Sequence, residues 1–314
     1  VWMLIATALV LLMTPALGFF YGGLVRAKNA LNTMMMSIAA LGVAGIVWAL
    51  LGYSLAFADG SGFIGGTSYA FLRGVGLETR GTIPHLLFMA YQGTFAIITA
   101  ALISGAIVER KRFGPYLIFI ALWTLGVYAP VAHWVWGGGW LSRLGILDYA
   151  GGTVVHVNAG TAALVAAILI RPRKDYARQA LLPHNVPYVI LGAALLWFGW
   201  FGFNGGSGFS TGNPGVLAFT NTLLTPACTL TVWFILDLIR GRQVTAIGAA
   251  TAIIVGCVLI TPAGGFISPG WAMALGVAGA LPCYAAILWR PRTRVDETLD
   301  VLAAHGIAGF TGIL

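Results

Sequence analysis

Residues 186–203 read VPYVILGAALLWFGWFGF and residues 271–289 read WAMALGVAGALPCYAAILW, and neither stretch contains a charged side chain. Both runs are longer than the strands of a membrane barrel, and their apolar residues do not alternate with polar ones. Because backbone in contact with lipid must satisfy its hydrogen bonds internally, runs of this kind predict transmembrane helices. The fold class that follows is an all-α integral membrane protein.

The composition of the whole chain agrees with this class. Hydrophobic residues make up 59% and charged residues 8% of the 314 residues, and the mean hydropathy is +0.90. Soluble domains carry about 25% charged residues, so this chain lacks the polar surface that water requires. The net charge of +8 comes from basic clusters between apolar runs, which argues against nucleic acid as a partner. The three cysteines lie inside apolar segments and are expected to be core residues.

The apolar runs predict ten helices, all in one membrane domain of residues 1–314. Their expected ranges are 1–24, 30–57, 84–108, 115–135, 152–170, 186–203, 214–239, 245–260, 268–289 and 298–314. The loops after the odd-numbered helices hold all of the 17 Lys and Arg residues except Arg73, Arg80 and Arg143. Since basic loops stay in the cytoplasm, this asymmetry predicts an N-terminus on the outside of a plasma (inner) membrane that the chain crosses many times.

The two halves of the chain resemble each other at a fixed offset of five helices. The sequence His-x-x-Ala-Gly occurs at residues 156–160 and again at 305–309, and residues 20–23 (FYGG) loosely match residues 203–206 (FNGG). An odd offset requires the second copy to be inverted. We therefore expect two inverted five-helix repeats, about 1–171 and about 186–314, with the site at their interface.

The histidines repeated in these motifs are the main functional signal. An intramembrane histidine is costly unless it faces a partner or a polar path, and the inverted repeat predicts that His156 and His305 meet. Two neutral imidazoles can share one hydrogen bond and leave an edge for a small polar molecule. No cysteine or carboxylate stands beside either histidine, so neither a metal nor a cofactor is expected.

Other candidate residues allow a structural and a functional interpretation at this stage. Asp148, just before the fifth helix, could cap the helix or stabilise a cation at the entrance. Trp136 could belong to the interfacial aromatic belt or stack on a small cation, which is worth about 0.5–2 kcal/mol. Phe95 and Phe203 are expected in the core and become gate candidates if they line the path.

Five segments carry a resemblance to a known family: residues 14–23 (TPALGFFYGG), 133–139 (HWVWGGG), 148–156 (DYAGGTVVH), 200–207 (WFGFNGGS) and 300–306 (DVLAAHG). They resemble the ammonium transporter/Rh family, on its Amt side, along the whole chain. The resemblance implies the ammonium-transporter fold, with eleven helices in two inverted five-helix repeats plus one. It also implies a homotrimer with a pore in each subunit.

The resemblance further implies roles for individual residues. A substrate-binding site is expected at Trp136, Ser207, Phe95, Tyr91 and Asp148. Phe95 and Phe203 match the family's gate, while His156, His305, Trp200 and Thr261 match its pore lining.

The sequence departs from the family pattern in three ways. Tyr91 stands where phenylalanine is expected, the eleventh helix and the cytoplasmic tail do not follow Leu314, and the first helix begins within its span. A cytoplasmic regulatory partner is expected to act through such a tail.

The function expected from these features is ammonium transport for nitrogen uptake. The outer aromatic site recruits ammonium, which loses a proton, and ammonia crosses the twin-histidine pore with or without a separate proton. The alternative is an ammonium-sensing membrane domain coupled to a cytoplasmic signalling module, and a channel for neutral carbon dioxide is a more distant third. No nucleophile–base constellation or nucleotide fingerprint is present, so an enzyme is not expected.

Overall fold

A computed structural model describes residues 1–176, 178–179 and 181–314 of the chain. Eight helical segments in this part are long and apolar enough to cross a membrane, and two shorter apolar helices complete the bundle. In chain order they are α1 (Trp2–Leu24), α2 (Ala27–Phe57), α3 (His85–Ile107), α4 (Phe113–Arg143), α5 (Gly152–Ile170), α6 (Val186–Gly206), α7 (Asn213–Ile239), α8 (Ala246–Ile260), α9 (Pro269–Arg292) and α10 (Leu302–Ile313). The loop between α2 and α3 contains a two-stranded antiparallel sheet of β1 (Thr79–Arg80) and β2 (Ile83–Pro84).

Local sequence signals account for the starts of several helices. Proline stands in the first turn of α6, α7 and α9, where its missing N–H is not needed for a helical hydrogen bond. The side chain of Asn185 accepts a hydrogen bond from the backbone N–H of Tyr188, and Thr245 caps α8 in the same way through Gly248. These signals explain why the expected helix boundaries fall close to those observed.

The largest boundary difference is at the end of α4, which runs to Arg143 and not to residue 135, and the largest difference at a helix start is at α10, which begins at Leu302 and not at residue 298. The side chain of Glu297 accepts hydrogen bonds from the backbone N–H groups of Val301 and Leu302, at 3.0 and 3.3 Å. A capping carboxylate of this kind lies outside the helix that it starts, so residues 298–301 form the entry turn.

Both histidine-bearing helices begin with a wide π-helical turn, over Gly152–Val157 in α5 and Leu302–Ile307 in α10. π-turns often occur at functional sites because they change the direction of the side chains that follow. His156 and His305 each lie within such a turn.

The two halves of the chain pack through close backbone contacts. α1 and α6, the first helices of the predicted repeats, lie against each other along their length, and a Cβ added at Gly192 of α6 would collide with the backbone of Phe20. α5 and α10 approach in the same way, since a Cβ at Gly160 would collide with the backbone of Gly306. Small residues permit this approach where no hydrophobic force drives helix association in lipid. The division into inverted repeats remains a prediction.

The loops after odd-numbered helices lie on one side of the bundle, which we call the basic face. Asp296, which is fully buried, accepts hydrogen bonds from the backbone and guanidinium of Arg173 at 2.8–3.0 Å. Burial alone raises the pKa of Asp296, but these bonds and the positive charge of Arg173 hold that pKa below its ordinary value. The network ties the connector after α5 to the loop before α10.

Candidate functional site

Three cavities lie along the interior of the bundle. An aromatic vestibule of about 340 Å³ lies on the side opposite the basic face, and a basic-face vestibule of about 470 Å³ reaches His305. Between them is a pore cavity of about 10 Å³, which has room for about one water-sized molecule. The smallest of the three cavities therefore lies between the two vestibules.

The aromatic vestibule is lined by Trp136, Phe95, Ser207 and Asp148 of the predicted substrate site. The indole N–H of Trp136 donates to the backbone carbonyl of Asp148 at 2.9 Å, and its ring meets Phe95 edge-on with centroids 6.1 Å apart. Ser207 donates its hydroxyl to the carbonyl of Phe203 at 2.8 Å. Ring faces, a hydroxyl oxygen and a nearby carboxylate are thus gathered in one shallow space.

The carboxylate of Asp148 is almost fully committed to the backbone. Its two oxygens accept hydrogen bonds at 2.6–3.1 Å from the backbone N–H groups that open α5, those of Gly151, Gly152, Thr153 and Val154. This is a helix cap in which both oxygens are occupied, and only 7% of the residue is exposed. Asp148 can therefore act on a cation in the vestibule mainly through its charge and by holding Trp136.

Tyr91 lies beside the vestibule, with its hydroxyl against the backbone of α6. Its hydroxyl is 2.9 Å from the carbonyl oxygens of both Gly202 and Phe203 and 3.3 Å from the hydroxyl of Ser207, and the residue is fully buried. The hydroxyl is hydrogen-bonded to the backbone of α6, and Tyr91 is not among the residues that line the vestibule. Tyr91 contacts the site through the hydroxyl of Ser207 and through the ring of Phe95, which meets its own ring edge-on with centroids 4.9 Å apart.

The two predicted gate residues stack on each other. The ring centroids of Phe95 and Phe203 are 4.2 Å apart with an angle of 29° between the planes, and both residues are buried. Phe95 faces the aromatic vestibule while Phe203 faces the pore cavity. Together they form the partition between the two spaces.

The histidines of α5 and α10 meet in the pore cavity. The Nδ1 atom of His156 lies 3.1 Å from the Nδ1 atom of His305, and the two rings are nearly parallel at a centroid distance of 5.2 Å. One ring must donate and the other accept, since two unprotonated nitrogens would repel each other. The Nε2 atom of His156 is buried and has no hydrogen-bond partner in the described part of the chain. It is thus free to bind a small molecule in the cavity.

Trp200 and Thr261, also expected in the pore, take different positions. The ring of Trp200 stacks against His156 at 5.5 Å and lines the cavity. Thr261 lies behind it, where its hydroxyl accepts the indole N–H of Trp200 at 3.0 Å and lies 3.2 Å from the side-chain oxygen of Asn204. Thr261 therefore positions Trp200 and does not line the cavity.

Two site residues were missed by the sequence analysis, although the repeat signal contained both. Phe20 lies between the pore cavity and the basic-face vestibule, and it occupies the position in FYGG that Phe203 occupies in FNGG. Glu297 precedes His305 by eight residues, as Asp148 precedes His156, and both carboxylates cap the helix that carries the histidine. Phe20 is already the first residue of the FYGG match, and extending the histidine motif eight residues upstream would have found Glu297.

Comparison with known proteins identifies relatives along the full length of the chain. The family described as "Ammonium Transporter Family" matches residues 1–314. A Bacillus subtilis protein named "Ammonium transporter" is 46% identical, covering 99% of this chain and 78% of the relative. The crystal structure of Saccharomyces cerevisiae Mep2 superimposes with a TM-score of 0.92 at 39% identity, covering 99% and 71% of the two chains. A structure named "Sensor Amt Protein" superimposes with a TM-score of 0.94 at 30% identity, covering 99% and 80%.

Proposed function

This chain belongs to the ammonium transporter family, and we propose that it carries ammonium across the membrane through the pore cavity between its two vestibules. The observation that carries the proposal is the 3.1 Å contact between His156 and His305, inside a cavity of about 10 Å³ behind two stacked phenylalanines. Such a site suits a neutral molecule the size of water, and ammonia is one.

Recruitment takes place in the aromatic vestibule. Ammonium and potassium are similar in size, so a site that selects ammonium must use its N–H groups. The faces of Trp136 and Phe95 attract the cation, the hydroxyl oxygen of Ser207 accepts an N–H, and Asp148 adds a negative charge through its position. Potassium gains the ring attraction but has no proton to donate.

Ammonium gives its proton to solvent water in the aromatic vestibule, and the substrate then passes Phe95 and Phe203 as neutral ammonia. An intact cation in the apolar pore cavity would lose its hydration without replacement, which is a severe desolvation cost. Neutral ammonia avoids this cost, and its small size matches the space between the rings of Phe203 and Trp200. A separate path for the proton would make net transport electrogenic. Electrical current on solid-supported membranes tests this directly.

The histidine pair guides ammonia through the narrowest part. If Nδ1–H of one ring donates to Nδ1 of the other, the outer nitrogens remain available for hydrogen bonds along the cavity. The free Nε2 of His156 is one such group, and His305 carries the path on to the basic-face vestibule. Phe20 then acts as the exit gate, the counterpart of Phe203.

We further propose that the basic face lies in the cytoplasm, that the N-terminus lies outside, and that the protein resides in the plasma membrane. The family resemblance favours a homotrimer with one pore per subunit, and a cytoplasmic regulatory partner at the basic face. Ammonium and the lipid bilayer are the remaining partners.

Ammonium sensing is the alternative that a specific observation favours. The structure named "Sensor Amt Protein" matches 99% of this chain at 30% identity. The same vestibule could then bind ammonium and report occupancy to a signalling module. The 46% identity to a relative named as a transporter favours transport.

The deciding measurement is current on solid-supported membranes from proteoliposomes pulsed with ammonium or potassium, for the parent protein and His156→Ala. We expect a saturable ammonium current that His156→Ala loses or makes permeable to potassium. His184→Ala serves as a control because its ring bonds the carbonyl of Val25, away from the pore. Saturable ammonium binding with neither current nor isotope flux would refute transport in favour of sensing, and unchanged selective current in His156→Ala would refute the role of the histidine pair.

A further inference from the structure

A β-hairpin beside the aromatic vestibule is attached to the vestibule wall. The hairpin consists of β1 and β2, in the loop between α2 and α3. The hydroxyl of Thr82, in its turn, donates to the backbone carbonyl of Phe209 at 2.6 Å, and the backbone N–H of His85 donates to the carbonyl of Glu78 at 2.8 Å. Phe209 lines the vestibule. The hairpin is therefore held against the vestibule by its turn and closed at its base.

Arg80 of this hairpin places its guanidinium against three aromatic rings. The central carbon of the guanidinium is 5.0 Å from the ring centroid of Phe88, 5.6 Å from that of Phe57 and 5.8 Å from that of Tyr69. A cation within about 6 Å of a ring centroid is attracted by the negative face of the ring. The guanidinium also donates to the backbone carbonyl of Phe57 at 3.2 Å. Arg80 is thus fixed by several contacts at once.

Phe57 and Phe88, which we call the outer rings, belong to the wall of the aromatic vestibule, whereas Arg80 is not among its lining residues. The guanidinium therefore lies behind this wall. Phe88 and Phe95 are seven residues apart on α3, which places them on the same face of the helix and about 10 Å apart along its axis. The vestibule thus has outer rings in contact with Arg80 and a deeper pair of rings, Phe95 and Trp136, at the gate.

The charge of Arg80 has no carboxylate of its own. Among the residues that the structure describes, Arg80 takes part in no ion pair. Its Nη1 atom lies 3.3 Å from Nε2 of His85, which is also 2.6 Å from the hydroxyl of Tyr53, while Nδ1 of His85 lies 3.1 Å from a carboxylate oxygen of Glu78. A ring with its proton on Nδ1 fits these contacts, since it donates to Glu78 and accepts at Nε2. The guanidinium is therefore balanced mainly by the ring faces and the carbonyl of Phe57.

We propose that Arg80 acts as a built-in cation that occupies the outer rings and thereby restricts ammonium to Phe95 and Trp136. A ring face by itself attracts ammonium and potassium alike, because both carry one positive charge and are similar in size. The charge of Arg80 repels a second cation from the rings that it already contacts. Ammonium then binds at the deeper pair, beside Ser207, whose hydroxyl oxygen accepts an N–H. Arg80 is thus a positioning residue that sets specificity through the rings, and the inference rests on the recruitment proposed above.

The first test asks whether a cation binds where the guanidinium of Arg80 stood. Melting temperatures of Arg80→Ala in detergent are measured in guanidinium chloride at millimolar concentration and in sodium chloride at the same concentration. We expect guanidinium to raise the melting temperature of Arg80→Ala by about 2–5 °C relative to sodium, and to leave that of the parent protein unchanged. Arg73→Ala is the matched control, because Arg73 is exposed in the same loop and its guanidinium donates to the carbonyls of Ala70 and Thr67.

The second test measures ammonium current from proteoliposomes in potassium chloride and in the chloride of the bulky N-methylglucamine cation at equal ionic strength. Without Arg80, potassium occupies the outer rings and repels ammonium from the vestibule. We expect potassium to raise the half-saturating ammonium concentration of Arg80→Ala at least about threefold with no loss of maximal current, and to leave the parent protein and Arg73→Ala unchanged. Arg80→Gln, which keeps an N–H for the carbonyl of Phe57, should behave like Arg80→Ala. Arg80→Lys, or millimolar guanidinium added to Arg80→Ala, should restore the behaviour of the parent protein.

Each variant is compared as a monodisperse sample, and Arg80→Gln takes the place of Arg80→Ala in the current measurement if the alanine variant does not fold. Stabilisation by guanidinium of equal size in Arg80→Ala and Arg73→Ala would overturn the proposal. So would a half-saturating ammonium concentration that potassium leaves unchanged in the neutral Arg80 variants, and a loss of maximal current alone would show that Arg80 only holds the hairpin. If the parent protein carries no current, the transport proposal fails, and the guanidinium measurement still decides whether the outer rings form a cation site.

Discussion

Thr261→Val tests whether the hydroxyl of Thr261 positions Trp200, which lines the pore cavity. Valine has nearly the shape of threonine but cannot accept the indole N–H of Trp200, which the threonine hydroxyl binds at 3.0 Å. The hydroxyl also lies 3.2 Å from the side-chain oxygen of Asn204, and that contact is lost with it. A buried N–H left without an acceptor costs about 1–3 kcal/mol.

The expected result has a thermal and a functional part. On the scaling known for domains of 150–250 residues, that cost lowers the melting temperature by about 2–12 °C. Trp200 stacks on His156, so an indole without its anchor should also reduce the ammonium current without admitting potassium. The assays are thermal unfolding in detergent and current on solid-supported membranes.

Two matched variants make this prediction sharp. Thr261→Ser keeps the hydroxyl and should retain both the stability and the current. Thr231→Val makes the same chemical change at an exposed site, where the hydroxyl bonds only the carbonyl of Ala227 one turn earlier. If Thr261→Val melts and conducts like the parent protein, the hydrogen bond to Trp200 does not position the pore. If Thr261→Ser loses current as severely as Thr261→Val, the hydroxyl is not the group that matters.

Three further predictions concern the packing and charge around the path. Gly160→Ala should cost about 1–3 kcal/mol of stability and weaken the histidine contact, because the new methyl group meets the backbone of Gly306. Gly42→Ala, at a helix position with open space around it, is the control. Equal melting temperatures of the two variants would contradict the prediction. Tyr91→Phe should lower the melting temperature slightly, by the loss of about 0.5–1.5 kcal/mol of hydrogen bonding, and leave the half-saturating ammonium concentration unchanged. Burial and the nearby charge of Asp300 raise the pKa of Glu297 to about 7 from its ordinary value of 4.5. Since the folded state then favours the protonated form, the protein should lose up to about 3 kcal/mol of stability as pH rises from about 4.5 to about 7, and Glu297→Gln should flatten the fall in melting temperature over that range.

Much of the fold and part of the site could be predicted from the sequence. The helices correspond to apolar runs bounded by proline, Asn185 or Thr245, and these signals act within a few residues of the boundary. The meeting of His156 and His305 was predicted from a motif repeated five helices apart. Sequence signals were sufficient here because repetition carries long-range information that a single motif lacks.

Other positions could not be predicted, because they depend on how each helix is rotated about its axis. The family pattern assigned Tyr91 to the substrate-binding site and Thr261 to the pore lining, and in the structure their hydroxyl groups bond the backbone of α6 and the indole of Trp200. A rotation of one residue, 100° in an α-helix, decides between lining a cavity and lying behind it.

The sequence by itself determined which segments enter the membrane, which loops are basic, and which histidines are paired. Hydrophobic length and loop charge are properties of a linear segment, so neighbouring residues are enough to read them. Only the tertiary structure decided that Phe20 closes one end of the pore cavity and that the carboxylate of Asp148 accepts hydrogen bonds from four backbone N–H groups. It also decided that the hydroxyl of Thr261 accepts the indole N–H of Trp200. Phe20 and Trp200 lie on α1 and α6, and the two histidines lie on α5 and α10. The close approach of these helices at glycine backbones therefore helps to set the position of those side chains.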